Sequence, residues 1–141
     1  DIEVPFGWLP TLHHNVVKHG LGAGSPAIKV SNGLDVGAVL DSHARGKSII
    51  NANTKPDWIT GSCLYVTRET FNKIGLLDEE FRFYFEDVDL CKRMTLNNIK
   101  FMTIRDVIIL HNDSTSSTPQ QKKVLLEESR RYFAKKWSYQ I

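Results

Sequence analysis

Trp58-Ile59-Thr60-Gly61-Ser62-Cys63-Leu64-Tyr65-Val66-Thr67 is an apolar run rich in β-branched and aromatic residues, and Arg68 to Ile74 follows it without a gap. The run reads as a buried strand. The next seven residues read as a short helix that Gly75 stops. Gly61 inside the strand pattern marks a bulge or the close approach of another group. A strand that passes straight into a helix points to an α/β layer.

Working outward, the same alternation continues. Asp78 to Phe85 is an acidic, aromatic loop, and a helix is expected from Glu86 to about Asn97. Phe101–Ile104 and Val107–Leu110 read as two short strands split by Arg105 and Asp106. His111 to Pro119 is a polar loop, and Gln120 to Trp137 is strongly helical. Upstream, residues 5–19 read as a helix, with Trp8, Leu12 and Val16 at helical spacing and Gly20 as the stop. The Gly- and Ser-rich segment 20–33 predicts a loop with a short strand at Ala27–Val30, and Val36–Leu40 is a further strand. Asp41 to Lys55 is polar and shows no clear period. The sum is a sheet of three to five short strands, partly exposed.

Composition narrows the class. The chain has 141 residues, 41% of them hydrophobic and 24% charged, which excludes disordered, collagenous and disulfide-scaffold proteins. That length suits one domain. The formal charge of +2 is too small to argue for nucleic acid, so no nucleic-acid partner is expected. Cys63 and Cys91 have neither zinc nor redox spacing and read as reduced, buried residues. No stretch approaches the roughly 18–20 apolar residues of a membrane span, and no leader pattern is present. The expected location is the cytoplasm.

The densest chemistry is Phe83-Tyr84-Phe85-Glu86-Asp87-Val88-Asp89. Three carboxylates follow three aromatics at a helix start. A helix N-terminus stabilises anions, neighbouring carboxylates raise one another's pKa, and an apolar rim removes water. That combination suits a general base. It also suits a plain acidic helix start. His111, where a strand opens into a loop, is either a metal ligand or a loop cap. Asp1 and Glu3 offer two acids one residue apart. His13, His14 and His19 do not share the spacing of a helical metal motif. The last segment carries Lys122, Lys123, Arg130, Arg131, Lys135 and Lys136 against Glu127 and Glu128. With Leu126, Phe133 and Trp137 on one side, it is either a docked surface helix or a basic face for an anionic membrane or a phosphate-bearing substrate.

These segments, in order, resemble family 2 glycosyltransferases of the GT-A (nucleotide-diphospho-sugar transferase) fold. Asp57 to Glu69 looks like the family's "dwvsGacllvrre" strand, Gly75 to Phe81 like "GgfDe.F", and Phe83 to Arg93 like "fyfEDvDlclR". Val107 to Ser117 resembles "a.vvHhgg.S", and Arg130 to Trp137 resembles "R..yfl.Khw". Asp1 to Leu9 fits the text that follows a DxD-type metal motif in the family.

The resemblance implies a C-terminal, acceptor-side portion of the fold that starts at that motif, with a small mixed sheet flanked by helices. It divides the single partial domain into a post-motif helix and linker region (1–56), an acceptor and catalytic core (57–111), and a loop with a basic C-terminal helix (112–141). It implies metal-dependent transfer with inversion, from a nucleotide-sugar to a glycan or lipid-linked acceptor in polysaccharide or glycolipid assembly. Asp87 resembles the general base, and Glu86 is the fallback base or a binder of acceptor hydroxyls. Asp1 and His111 resemble ligands of a divalent metal, Mn or Mg, that acts only with the donor half. Gly61 and Ser62 lie where substrate approaches the backbone, and Trp58 and Tyr84 are either sugar-stacking rings or core. Asn112 stands where the family often has a second His. The isolated chain is expected to be inactive. Self-association through an exposed sheet edge, and peripheral contact of the basic helix with the inner face of the membrane, complete the expected partners. The alternative is a non-catalytic binding or assembly module derived from such an enzyme.

Overall fold

A computed structural model describes residues 2–112 and 118–141. The elements run β1 (Ile2–Glu3), α1 (Trp8–Lys18), β2 (Ala23–Val30), β3 (Gly33–Leu40), β4 (Gly46–Ile50), a 3-10 turn (Gly61–Cys63), β5 (Tyr65–Val66), α2 (Arg68–Ile74), α3 (Glu86–Leu96), β6 (Phe101–His111) and α4 (Pro119–Trp137). The sheet has six strands in the order β1-β6-β2-β3-β4, with β5 beside β2. Only β2 and β6 run parallel, so the sheet is mixed.

β2 is the centre, and its first half overturns the expected loop. Gly24 is part of that strand because α1 lies on it. A β-carbon there would sit 3.0 Å from Val16 Cγ2 and 3.3 Å from Ile104 Cγ1. Just before the strand, a β-carbon at Gly22 would meet Ile99 and Thr70. These glycines answer to close packing, not to a turn. Pro26 is buried mid-strand and offers no N–H to the ladder. Opposite it the register breaks: Pro26 pairs with Ile104 and Ala27 with Ile108. Arg105 and Asp106 bulge outward there. The two short strands expected on either side of them are thus one long bulged strand.

Two other expectations change. The polar stretch 41–55 contains β4, an edge strand whose first three residues are exposed. The apolar run from Trp58 is mostly irregular. Trp58 makes one bridge to Ala38, the 3-10 turn follows, and only Tyr65 and Val66 extend the sheet. The helices stand where the sequence put them. Thr67 caps α2 through Thr70 N–H, and Gly75 ends it with φ 82°. Thr118 and Gln121 form a capping box at α4, with Pro119 next to the cap.

Leu12 and Val16 of α1 pack on Ile104, Val107 and Ile109 of β6. Leu90, Cys91 and Met94 of α3 pack on Ala23, Ile59 and Phe101. Phe133 and Ala134 of α4 close on Phe81, Phe85 and Val88. Both cysteines are free thiols; Cys91 is buried, Cys63 is partly exposed, and burial pushes the Cys91 thiol up to about 12. Among the described residues, no helix is long and apolar enough to cross a membrane.

Candidate active site

The start of α3 forms one wall of an open cleft of about 550 Å³. Gly61, Ser62, Tyr84, Glu86, Asp87 and His111 all line it. The chain reaches the helix through two left-handed residues, Tyr84 (φ 67°) and Phe85 (φ 71°). Such conformations cost non-glycine residues about 1–2 kcal/mol each. They persist because the loop is held from behind. Phe85 packs on Phe133 at 5.3 Å between ring centroids, and Ser129 Oγ donates to the Phe83 carbonyl at 2.6 Å.

The three clustered carboxylates part company. Successive helical residues turn by about 100°, so Asp87 and Asp89 face nearly opposite ways. Asp89 is fully buried. It pairs with Arg93 at 2.8 Å and Lys136 at 2.8 Å, and it accepts from Trp137 Nε1 at 2.9 Å. It fastens α3 to α4. Asp78, in the preceding loop, is a second fastener through Lys136 and Tyr132. The Lys136 ammonium, with the Glu80 N–H, holds its carboxyl below the ordinary range.

Glu86 and Asp87 face the cleft. Asp87 Oδ2 accepts from Gly61 N–H at 2.8 Å, and Oδ1 accepts from Val88 N–H at 2.8 Å. Burial, aided by the Glu86 charge, raises its pKa to about 6, against the pull of those two N–H groups. Gly61 permits the contact: a β-carbon there would lie 3.2 Å from Asp87 Oδ2. This is the close approach that the glycine signalled in the sequence. Glu86 Oε2 is buried and accepts no hydrogen bond from any described residue. A carboxylate that remains basic near neutrality, beside an open volume, can take a proton from a bound hydroxyl.

The remaining expected residues divide. His111 ends β6, opposite Ile2, and borders the cleft. Asp1 and residues 113–117 lie outside the described residues. Among the described residues, no group of three His, Cys, Asp or Glu side chains converges to hold a metal ion. His111 alone does not make a metal site. Trp58 lies away from the cleft, packed into the core with its ring over Gly46. Arg82, Leu77 and Lys122 join the lining without a signal that the sequence reading used. The basic face of α4 is thinner than the sequence suggested. Arg130 is buried, in a two-pronged pair with Glu127 and a bond to the His43 carbonyl. Lys136 is taken up by Asp78 and Asp89.

The chain matches a crystal structure of GalNAc-T7 with UDP, GalNAc and Mn2+ at a TM-score of 0.70 and 14% identity, over 96% of this chain and 30% of that one. In sequence it is similar to the low-salt glycan biosynthesis hexosyltransferase Agl10 of Haloferax volcanii, 32% identical over 58% of this chain and 28% of that protein. It is also similar to the N-acetylglucosaminyl-diphospho-decaprenol L-rhamnosyltransferase of Mycobacterium tuberculosis, 35% identical over 43% of this chain and 20% of that one. The rhamnosyltransferase WbbL of Escherichia coli is 28% identical over 64% of this chain and 35% of its own. No family model matches the chain. The chain is thus a relative of glycosyltransferases with part of a GT-A fold, and it spans between 20% and 35% of the length of these relatives.

Proposed function

We propose that the chain forms the acceptor side of a family 2 glycosyltransferase, which moves a sugar from a nucleotide-diphospho-sugar to an acceptor hydroxyl with inversion. The observation that carries this reading is Asp87, with its pKa near 6, facing an open cleft at a helix start. Asp87 takes the hydroxyl proton as the acceptor oxygen attacks the anomeric carbon. The bond from that carbon to the diphosphate oxygen breaks, and the nucleoside diphosphate leaves with the electron pair. Attack from the opposite face inverts the centre.

Glu86 holds acceptor hydroxyls beside the base and is the fallback base. Gly61 and Ser62 let the sugar approach the backbone, and Tyr84 offers a ring for stacking. Trp58 supports the site only from the core. The acceptor is a glycan or a lipid-linked sugar, a reading favoured by the lipid-linked substrate in the name of the mycobacterial relative. A divalent cation would neutralise the leaving diphosphate. His111, with Asp1, is what this chain would offer it. Donor binding falls to segments of the relatives outside the matched region, so the chain alone is inactive.

Asp87→Asn in the full-length enzyme tests the reading. Transfer should fall by roughly 10²–10⁴-fold while donor binding persists. Unchanged turnover overturns the assignment.

A further inference from the structure

Residues 59–64 lie outside the sheet, between Trp58, which bridges Ala38, and Tyr65, which pairs with Gly24. α3 holds this stretch at two points. The Ile59 backbone hydrogen-bonds to the Cys91 thiol, and Gly61 N–H donates to Asp87 Oδ2 at 2.8 Å. Asp87 and Cys91 are one helical turn apart, about 6 Å along the axis, and two extended residues cover about 6.6 Å. Ile59 and Gly61 therefore run along one face of α3. Thr60, between them, sends its side chain the other way.

That side chain caps the 3-10 turn. Thr60 Oγ1 accepts from Ser62 N–H at 3.4 Å and lies 3.3 Å from Ser62 Oγ. The first N–H groups of a helical turn have no partner inside it. Here they are divided: Ser62 gives its N–H to the cap, and Gly61 gives its N–H to the carboxylate. Gly61 has no β-carbon to restrict its own conformation. The direction of its N–H follows the plane of the Thr60–Gly61 peptide, so whatever fixes the turn also aims the bond.

We propose that Thr60 is a positioning residue for the base: its hydroxyl holds the turn so that the Gly61 N–H points at Asp87 Oδ2. The inference rests on the reading of Asp87 as the base, and Thr60 acts through Gly61. The Gly61 N–H favours the ionised carboxylate and pulls Asp87 down against its burial. A turn without its cap should therefore leave Asp87 harder to ionise. The charges that face Asp87 are Glu86 on its own helix and, around the cleft, Asp78, Glu79, Arg82, His111 and Lys122. All of them stay in place in the Thr60 variants.

The test is NMR on the full-length enzyme, labelled with ¹³C at aspartate carboxyls and ¹⁵N at glycines, with Asp87→Asn to assign the signal. No substrate is needed. In Thr60→Val the Asp87 titration midpoint should rise by about half a pH unit or more, roughly a threefold weaker hold on the ionised form. The Gly61 amide proton should move upfield as its bond lengthens. Thr60→Ser keeps the cap oxygen and should keep both signals native. A merely structural Thr60 would lower the unfolding midpoint in Thr60→Val and leave both signals where they were, and that result overturns the proposal. So does a shift that Thr60→Ser fails to reverse, or loss of folding in both Thr60→Val and Thr60→Ala. The readout is titration and not turnover. An unmoved Asp87 in an enzyme that Asp87→Asn inactivates thus removes Thr60 alone. A shifted Asp87 in an enzyme that survives Asp87→Asn removes the base assignment alone.

Discussion

Gly61 donates its N–H to Asp87 Oδ2 at 2.8 Å, and a β-carbon at Gly61 would stand 3.2 Å from that same oxygen. The glycine therefore both stabilises the carboxylate and leaves it room. Gly61→Ala should push the carboxylate aside and weaken the bond that lowers its pKa. We expect transfer by the full-length enzyme to fall about tenfold or more, with a stability loss of only about 1 kcal/mol, the worth of one hydrogen bond. Steady-state kinetics beside urea denaturation would check the split; equal activity in Gly61→Ala would show that the contact is dispensable.

The raised pKa of Asp87 has two consequences of opposite sign. For proton abstraction, the ionised form is needed, so kcat/KM should rise with pH and level off above about 6. For stability, the folded state holds this proton more tightly than the unfolded chain. The contribution of Asp87 is therefore full below the ordinary carboxylate pKa and is lost as pH rises through about 6. The slope between them is at most about 1.4 kcal/mol per pH unit. Thermal unfolding across pH 4 to 7 should show this decline in the native protein and a flatter profile in Asp87→Asn. Parallel profiles would contradict the raised pKa.

Asp89 predicts a different phenotype from its neighbour. Removing its charge leaves Arg93 and Lys136 without their buried partner. Losing one member of such a set costs about 3–5 kcal/mol. Asp89→Asn should lower the denaturation midpoint sharply, while the pH midpoint of the remaining activity stays near that of Asp87. A mild stability effect would argue against the fastening role.

Ser129 lies far from the cleft in sequence and acts on it through the Phe83 carbonyl. Ser129→Ala should cost about 1 kcal/mol. Its sharper signature is local: amide exchange at residues 83–87 should quicken, while the core of β2 and β6 is unchanged. Uniform exchange across the chain would show that the tether does not govern the loop.

The helices and the Glu86–Asp87 pair were legible because their signals are local. Thr67 and Gly75 bound α2, and an acidic start after an aromatic loop marks α3. What was hidden depends on neighbours remote in sequence. The glycines at 22 and 24 look like turn residues, yet Gly24 lies in the central strand and both stand where other elements press closely. β4 hides in polar text because it is an edge strand with an exposed start. Asp89 reads like its neighbours in sequence, and only the helix rotation sends it into α4 instead of the cleft. An apolar hollow beside Glu86 draws on Leu64, Val66, Phe71, Leu77 and Leu90, which no local pattern groups together.

The groups that line the cleft and the groups that fix it occupy different stretches of the chain. Lining residues end at Lys122, whereas the anchors Ser129, Phe133, Lys136 and Trp137 all follow it. A polypeptide shortened after residue 122 would retain every described side chain of the cleft and lose its frame. In synthesis from the N-terminus, the residues that seat the acidic helix therefore emerge after those that line the cleft.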